Sequence, residues 1–115
     1  MRRPDMPREA LKTLSESMYY VLLSLTRERC GIEIMSEVSE LSGGRVQVGP
    51  GTLYTMLSKF ESNEMIRCVS EEPKRKNYMI TLYGIEMLKE EYERIARLAD
   101  DGRAIVEGLN GQGKA

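Results

Sequence analysis

The chain has no histidine and no tryptophan among its 115 residues. Without imidazole, the usual general base near neutral pH is missing, and so is a common zinc ligand. Cysteine is scarce as well. Cys30 and Cys68 stand far apart in apolar surroundings, a spacing that suits neither a metal site nor a disulfide framework. Two lone thiols point to a reducing cytoplasm. Arg29 and Arg67 adjoin the two cysteines, and a neighbouring cation can lower a thiol pKa, but nothing else assembles around either, so both read as structural. No phosphate-loop or dinucleotide motif occurs. No apolar run approaches the ~20 residues that span a bilayer. The opening MRRPDMPRE has no apolar segment behind it, so no export signal is expected. These absences argue against an enzyme, a cofactor or metal protein, and a membrane protein. Net charge is nearly absent too: 17 Lys and Arg against 18 Asp and Glu leave −1. A nucleic-acid ligand would therefore need positive charge gathered in one place.

What is present suits one small domain. Residues 1–10 read as a loose arm carrying Arg2, Arg3 and Arg8. Leu11, Leu14, Met18, Val21, Leu22 and Leu25 then recur at three- and four-residue spacing, an amphipathic helix. A second helix covers Gly31 to Leu41, with Ile34 or Met35, Val38 and Leu41 inward, and Ser42-Gly43-Gly44 ends it. Arg45-Val46-Gln47-Val48 is long enough for one short strand. Gly49-Pro50-Gly51-Thr52 opens a third helix, since proline is tolerated in a first turn. Leu53, Met56, Leu57 and Phe60 form its apolar stripe, and it is expected to end near Asn63, in the left-handed position.

Met65 to Val69 and Asn77 to Leu82 read as the strands of a hairpin, with Ser70 to Lys76 as its polar turn. Thr81 is placed to cap a last helix. There Ile85, Leu88, Tyr92, Ile95, Ala99, Gly102, Val106 and Leu109 make a heptad-like stripe, interrupted by Gly102. Residues 110–115 are glycine-rich and expected to be disordered.

This order predicts a mainly α fold with a small β-hairpin: a winged helix-turn-helix domain over residues 11–82 and a long dimerisation helix over 83–109. In that class the third helix enters the major groove and the hairpin lies along the backbone. Thr52, Tyr54, Thr55, Ser58 and Lys59 point away from the apolar stripe and suit phosphates or base edges. At the start of that helix, Gly49, Pro50 and Gly51 allow close approach of a phosphate. Lys74, Arg75 and Lys76 put three positive charges on the hairpin turn, and Arg45 lies just ahead of the third helix. The same residues fit an ordinary solvated surface, and Tyr54 fits a packing tyrosine, so residue types alone leave both readings open. Leu11 and Leu14 of the first helix, with Ile85, Leu88, Tyr92, Ile95 and Ala99 of the last, are the candidate dimer interface. From Ile85 to Glu107 there are seven acidic and four basic residues, so this segment should face away from DNA.

Three segments carry a family resemblance: Tyr19-Tyr20, the run GIEIMSEVSELSGGRVQVGPGTLYTMLSKFESNEMI from Gly31 to Ile66, and KRKNYMITLYG from Lys74 to Gly84. With GPGTLY at Gly49 to Tyr54 as the most specific part, the chain resembles the PadR family of bacterial transcriptional regulators from Leu11 to about Leu98. The resemblance implies a cytoplasmic homodimeric repressor of its own or neighbouring genes that binds inverted repeats in double-stranded DNA. It implies a C-terminal helix crossing to the partner, and release by a small aromatic or cationic effector near that interface. It makes Pro50 to Ser62 the recognition helix, Glu71 to Lys76 the wing, and Tyr78 and Thr81 the joint between wing and last helix. The sequence departs from the family pattern at Ile32 and Asn77, where tyrosine is frequent, and at Asn63, where glycine is usual. Lacking tryptophan, it cannot sandwich a flat drug between indoles, so Tyr92 and Met87 are the candidates to line an effector pocket. The alternative is a winged-helix protein-interaction module whose DNA binding is weak or lost.

Overall fold

Ser15 opens the first helix. Its side chain accepts the amide proton of Met18 at 3.2 Å, and Glu16 adds a negative charge to the first turn, where it complements the helix dipole. The computed structural model describes residues 14–72 and 75–112. The elements are α1 (Glu16–Ser24), β1 (Arg29–Cys30), α2 (Gly31–Leu41), α3 (Pro50–Ser62), β2 (Ile66–Glu72), β3 (Arg75–Ile80) and α4 (Leu82–Gln112). The N-terminal arm and Leu11 lie outside the described residues. The architecture is the winged helix-turn-helix expected, followed by one long helix.

Val21, Leu22 and Leu25, together with Ile34 and Val38 of α2 and Leu53, Leu57 and Phe60 of α3, are buried in one core. Met65, Ile66, Tyr78 and Ile80 close that core from the hairpin side. The three- and four-residue spacing thus put most of the expected positions inward, but Leu41, expected inward, is exposed in the last turn of α2, where the chain turns away through Ser42, and Leu14 precedes the Ser15 cap and lies outside α1.

Between α2 and α3 the chain departs from expectation. Residues 45–48 form no strand. Val46 and Val48 are buried and Gln47 is exposed, which reproduces strand-like alternation in a loop pinned to the core. The Val46 amide, which a strand would offer to a neighbour, is taken by the Ser42 hydroxyl at 2.9 Å. Gly43 and Gly44 have φ of +63° and +84°, so the turn uses glycine where side chains are strained. After α3, the left-handed residue is Glu64, with φ 62°, and not Asn63. Asn63 is buried and its amide group donates to the Lys59 carbonyl at 2.9 Å, closing the helix end with a side chain.

The sheet has the order β1-β3-β2, antiparallel throughout. β1 escaped the sequence reading because two residues carry no periodicity; it exists because Arg29 and Cys30 pair with Tyr78 and Asn77. The hairpin strands also run further into the expected turn, to Glu72 and from Arg75. Their register sets Glu71 against Lys76 and Glu72 against Arg75. Cys30 and Cys68 sit on strands either side of β3. Two interstrand steps of ~4.8 Å separate them, beyond the ~7 Å that a disulfide can bridge.

Thr81 caps α4 as expected, accepting the Gly84 amide at 3.0 Å, and its hydroxyl donates to the Glu64 carbonyl at 2.7 Å. Gly84 packs directly on the Met65 carbonyl. The helix then runs 31 residues, or ~46 Å at 1.5 Å per residue, and reaches Gln112, inside the segment expected to be a disordered tail. Leu88 and Glu91 are its buried side chains, against α1. From Arg97 onward every side chain described is exposed except at Gly102.

Candidate nucleic-acid interface

α3 turns Leu53, Leu57 and Phe60 inward, so its 3.6-residue period turns Thr52, Tyr54, Thr55, Ser58 and Lys59 outward. Gly49 is the N-cap and Pro50 occupies the first turn; an added Cβ at Gly49 or Gly51 would meet nothing within 4 Å. The helix therefore opens onto free space at its amide end. Thr55 donates to the Gly51 carbonyl at 3.1 Å. Lys59 is the cation of this face, and Glu61 opposes it in sign.

Tyr54 lies on the flank of α3 nearest α2 and is half exposed. A Cβ at Gly31 would lie 2.3 Å from its hydroxyl, so the absence of a side chain at Gly31 makes room for the Tyr54 ring end. This contact was not legible in the sequence. Around it is a notch of about 380 Å³ lined by Cys30, Gly31, Ile32, Glu33, Tyr54, Arg75 and Lys76. The notch joins α3 to the β2–β3 hairpin across the start of α2. Ile32, the first-turn residue that departs from the family pattern, projects into solvent at its rim.

Two of the expected DNA cations are held by carboxylates. Arg75 reaches Glu33 with Nη2–Oε2 3.0 Å, and Arg45 reaches Glu16 at 2.9 Å and the Tyr20 hydroxyl at 3.1 Å. Glu16 raises the Arg45 pKa further. Glu33 lies below its ordinary range, chiefly because its carboxylate accepts the Cys30 backbone amide, with Arg75 adding to the effect. Arg45 thus sits on the α1 side, away from the notch, while Lys76 and Arg75 border it. Lys74 lies outside the described residues. Glu33 was missed by sequence reasoning. Its spacing of three from the N-cap Cys30 is the capping-box signal that would have found it.

The candidate dimer residues divide. Leu14 and Leu88 are buried in the chain's own core at 7% and 8% exposure, where they hold the start of α1 and the first turns of α4 to this domain. Ile85 is half-buried. Tyr92, Ile95 and Ala99 are exposed, and Leu98, Ile105, Val106 and Leu109 extend the apolar stripe along the distal half of α4. Where α4 leaves α1, Tyr19, Leu23, Leu88, Lys89, Tyr92 and Glu93 line a groove of about 500 Å³. Tyr92 is in it; Met87 is half-buried against the core and not among its lining. Burial, with Tyr92 next in order, raises the Tyr19 pKa. Among the described residues no group of side chains suits a metal ion, and no helix is long and apolar enough to cross a membrane.

Residues 20–90 match the transcriptional regulator PadR-like family. An uncharacterised protein from Lysinibacillus sphaericus is 33% identical over 91 residues, covering 76% of this chain and 84% of that protein. Among solved structures, a transcriptional regulator from Clostridium thermocellum superposes with TM-score 0.64 at 24% identity, over 79% of this chain and 92% of that one. A PadR family regulator from Eggerthella lenta superposes with TM-score 0.63 at 21% identity, over 76% and 75%. At these identities the structures speak for the fold.

Proposed function

The chain belongs to the PadR-like family of transcriptional regulators, and from that premise we propose that it is a homodimeric, sequence-specific DNA-binding repressor. It acts in the cytoplasm at its own or a neighbouring promoter and is released by a small aromatic or cationic effector. The observation that carries the reading is the continuous surface formed by the outer face of α3, the Tyr54–Gly31 contact and the basic side of β3. Thr52, Thr55, Ser58 and Lys59 reach base edges and phosphates in the major groove, and Lys74, Arg75 and Lys76 follow the backbone. The exposed stripe from Tyr92 to Leu109 supports the dimer, because a lone helix with that face open to water leaves its apolar burial unrealised. Two recognition helices related by a two-fold axis read an inverted repeat. The groove beside Tyr19 and Tyr92 is the candidate effector site.

A second reading, a winged-helix interaction module with weak DNA binding, draws on the single lysine of the α3 outer face and on the carboxylates that hold Arg45 and Arg75. One titration separates the two. Binding to the duplex upstream of the protein's own gene, followed against salt, is expected to be tight, resistant to competitor DNA and steeply weakened as salt rises. Replacing Lys74, Arg75 and Lys76 by alanine is expected to abolish most of it. Uniformly weak binding to every duplex favours the interaction module.

A further inference from the structure

Glu33 has a carboxylate that bridges two elements. It is an anion at the start of α2, in the notch between the recognition helix and the wing, and its two oxygens have separate partners. Oε1 accepts the Cys30 amide at 2.9 Å, and Oε2 pairs with Nη2 of Arg75 at 3.0 Å. Those partners are a helix-start amide and a guanidinium, the pair of donors that a nucleic-acid phosphate seeks. Tyr54 and Lys76 border the same notch.

We propose that Glu33 is a specificity determinant: an internal counter-ion that occupies the notch, holds Arg75 away from phosphates and suppresses sequence-independent DNA binding. The inference rests on the DNA-binding reading above. Its physical basis is the balance of two weak terms. The Arg75–Glu33 pair is half-exposed on both sides, and such pairs contribute little and exchange readily. A phosphate brought close by correct docking of α3 can displace the carboxylate. A phosphate met in random register gains too little elsewhere to do so, and the carboxylate repels it. The chain's near-neutral charge is consistent with such restraint, since phosphate contacts supply most non-specific affinity.

Glu33→Gln tests this. Glutamine keeps an oxygen for the Cys30 amide and removes the charge that binds Arg75. The probe is a mixed-sequence duplex of about three helical turns, followed by fluorescence anisotropy across a salt series, with unfolding midpoints recorded to show that the variant is folded. The expected result is tighter binding of Glu33→Gln than wild type at low salt. The slope of log K against log salt should steepen by about 1 for each engaged wing. Each added contact then costs a further three- to fourfold between 50 and 200 mM salt, as ~0.9 per phosphate implies. Adding Arg75→Ala should return the slope to that of Arg75→Ala alone. Glu33→Gln binding no tighter than wild type, with an unchanged slope, would overturn the proposal and leave the DNA interface standing. Absence of salt-dependent binding in wild type and variants alike would overturn both.

Discussion

Gly31→Ala tests whether the contact between α2 and α3 serves DNA binding or only packing. The new methyl would sit 2.3 Å from the Tyr54 hydroxyl and 3.1 Å from the ring carbon that bears it. Ordinary contacts lie near 3.5–4.0 Å, so the hydroxyl must withdraw by more than about 1 Å. It has room to do so, because Tyr54 is half exposed and borders the notch. An off-rotamer ring costs about 0.5–1.5 kcal/mol. Replacing glycine by alanine at a compatible φ regains about 0.4–1 kcal/mol from the unfolded chain. Stability should therefore stay within ~1 kcal/mol of wild type, a shift in Tm of a few degrees. Binding should suffer more. If the hydroxyl donates to a phosphate, a hydrogen bond to a charged group is lost, about 1.5 kcal/mol or more, and affinity for the duplex upstream of the gene falls at least about tenfold. Tyr54→Phe should lose the same affinity with no clash, and the double variant should bind no worse than Tyr54→Phe alone, because both changes remove one contact. Chemical denaturation and anisotropy on the four proteins complete the cycle. Wild-type affinity in Gly31→Ala would refute the hydroxyl as a DNA contact; a loss of several kcal/mol of stability would refute the claim that the ring is free to move.

Gly84→Ala should behave in the opposite way, since the added methyl meets the Met65 backbone carbonyl at 2.1 Å and neither α4 nor the hairpin can yield cheaply; a loss of a few kcal/mol in a urea melt is expected, as for other overpacked sites. Tyr92→Asp or Ile95→Asp, at side chains 60% and 38% exposed, should leave the fold intact and yield monomers by sedimentation; a persistent dimer would refute the proposed seam. The Glu33 carboxyl titrates below its ordinary range, so its contribution to stability is complete above the unfolded pKa of ~4.3 and fades as pH falls through the folded value. Glu33→Gln should flatten the acid limb of the stability curve, read from urea midpoints between about pH 6 and pH 3.

Much of this protein was legible locally. The buried faces of α1, α2 and α3 follow from apolar spacing, the Thr81 cap from one hydroxyl before an amphipathic run, and the α3 start from Gly49-Pro50. Those signals work because helix periodicity and capping join residues three or four apart. The outward residues of α3 were legible for the same reason, as the complement of its apolar stripe.

What required tertiary structure joins residues distant in the chain. β1 is a strand only because β3 lies beside it, and 45–48 is not one because Ser42 takes the Val46 amide. Leu88 belongs to the heptad-like stripe and Leu14 to the apolar spacing ahead of α1, yet both are buried in the chain's own core. The Arg75–Glu33 pair spans 42 residues and the Arg45–Glu16 pair 29; no pattern in either segment announces them. The sequence by itself determined where the helices lie and most of their apolar faces, because neighbours settle those choices. Which cations stay available to a phosphate, and which apolar residues remain for a partner, was decided only when the folded chain brought distant carboxylates and a core to meet them.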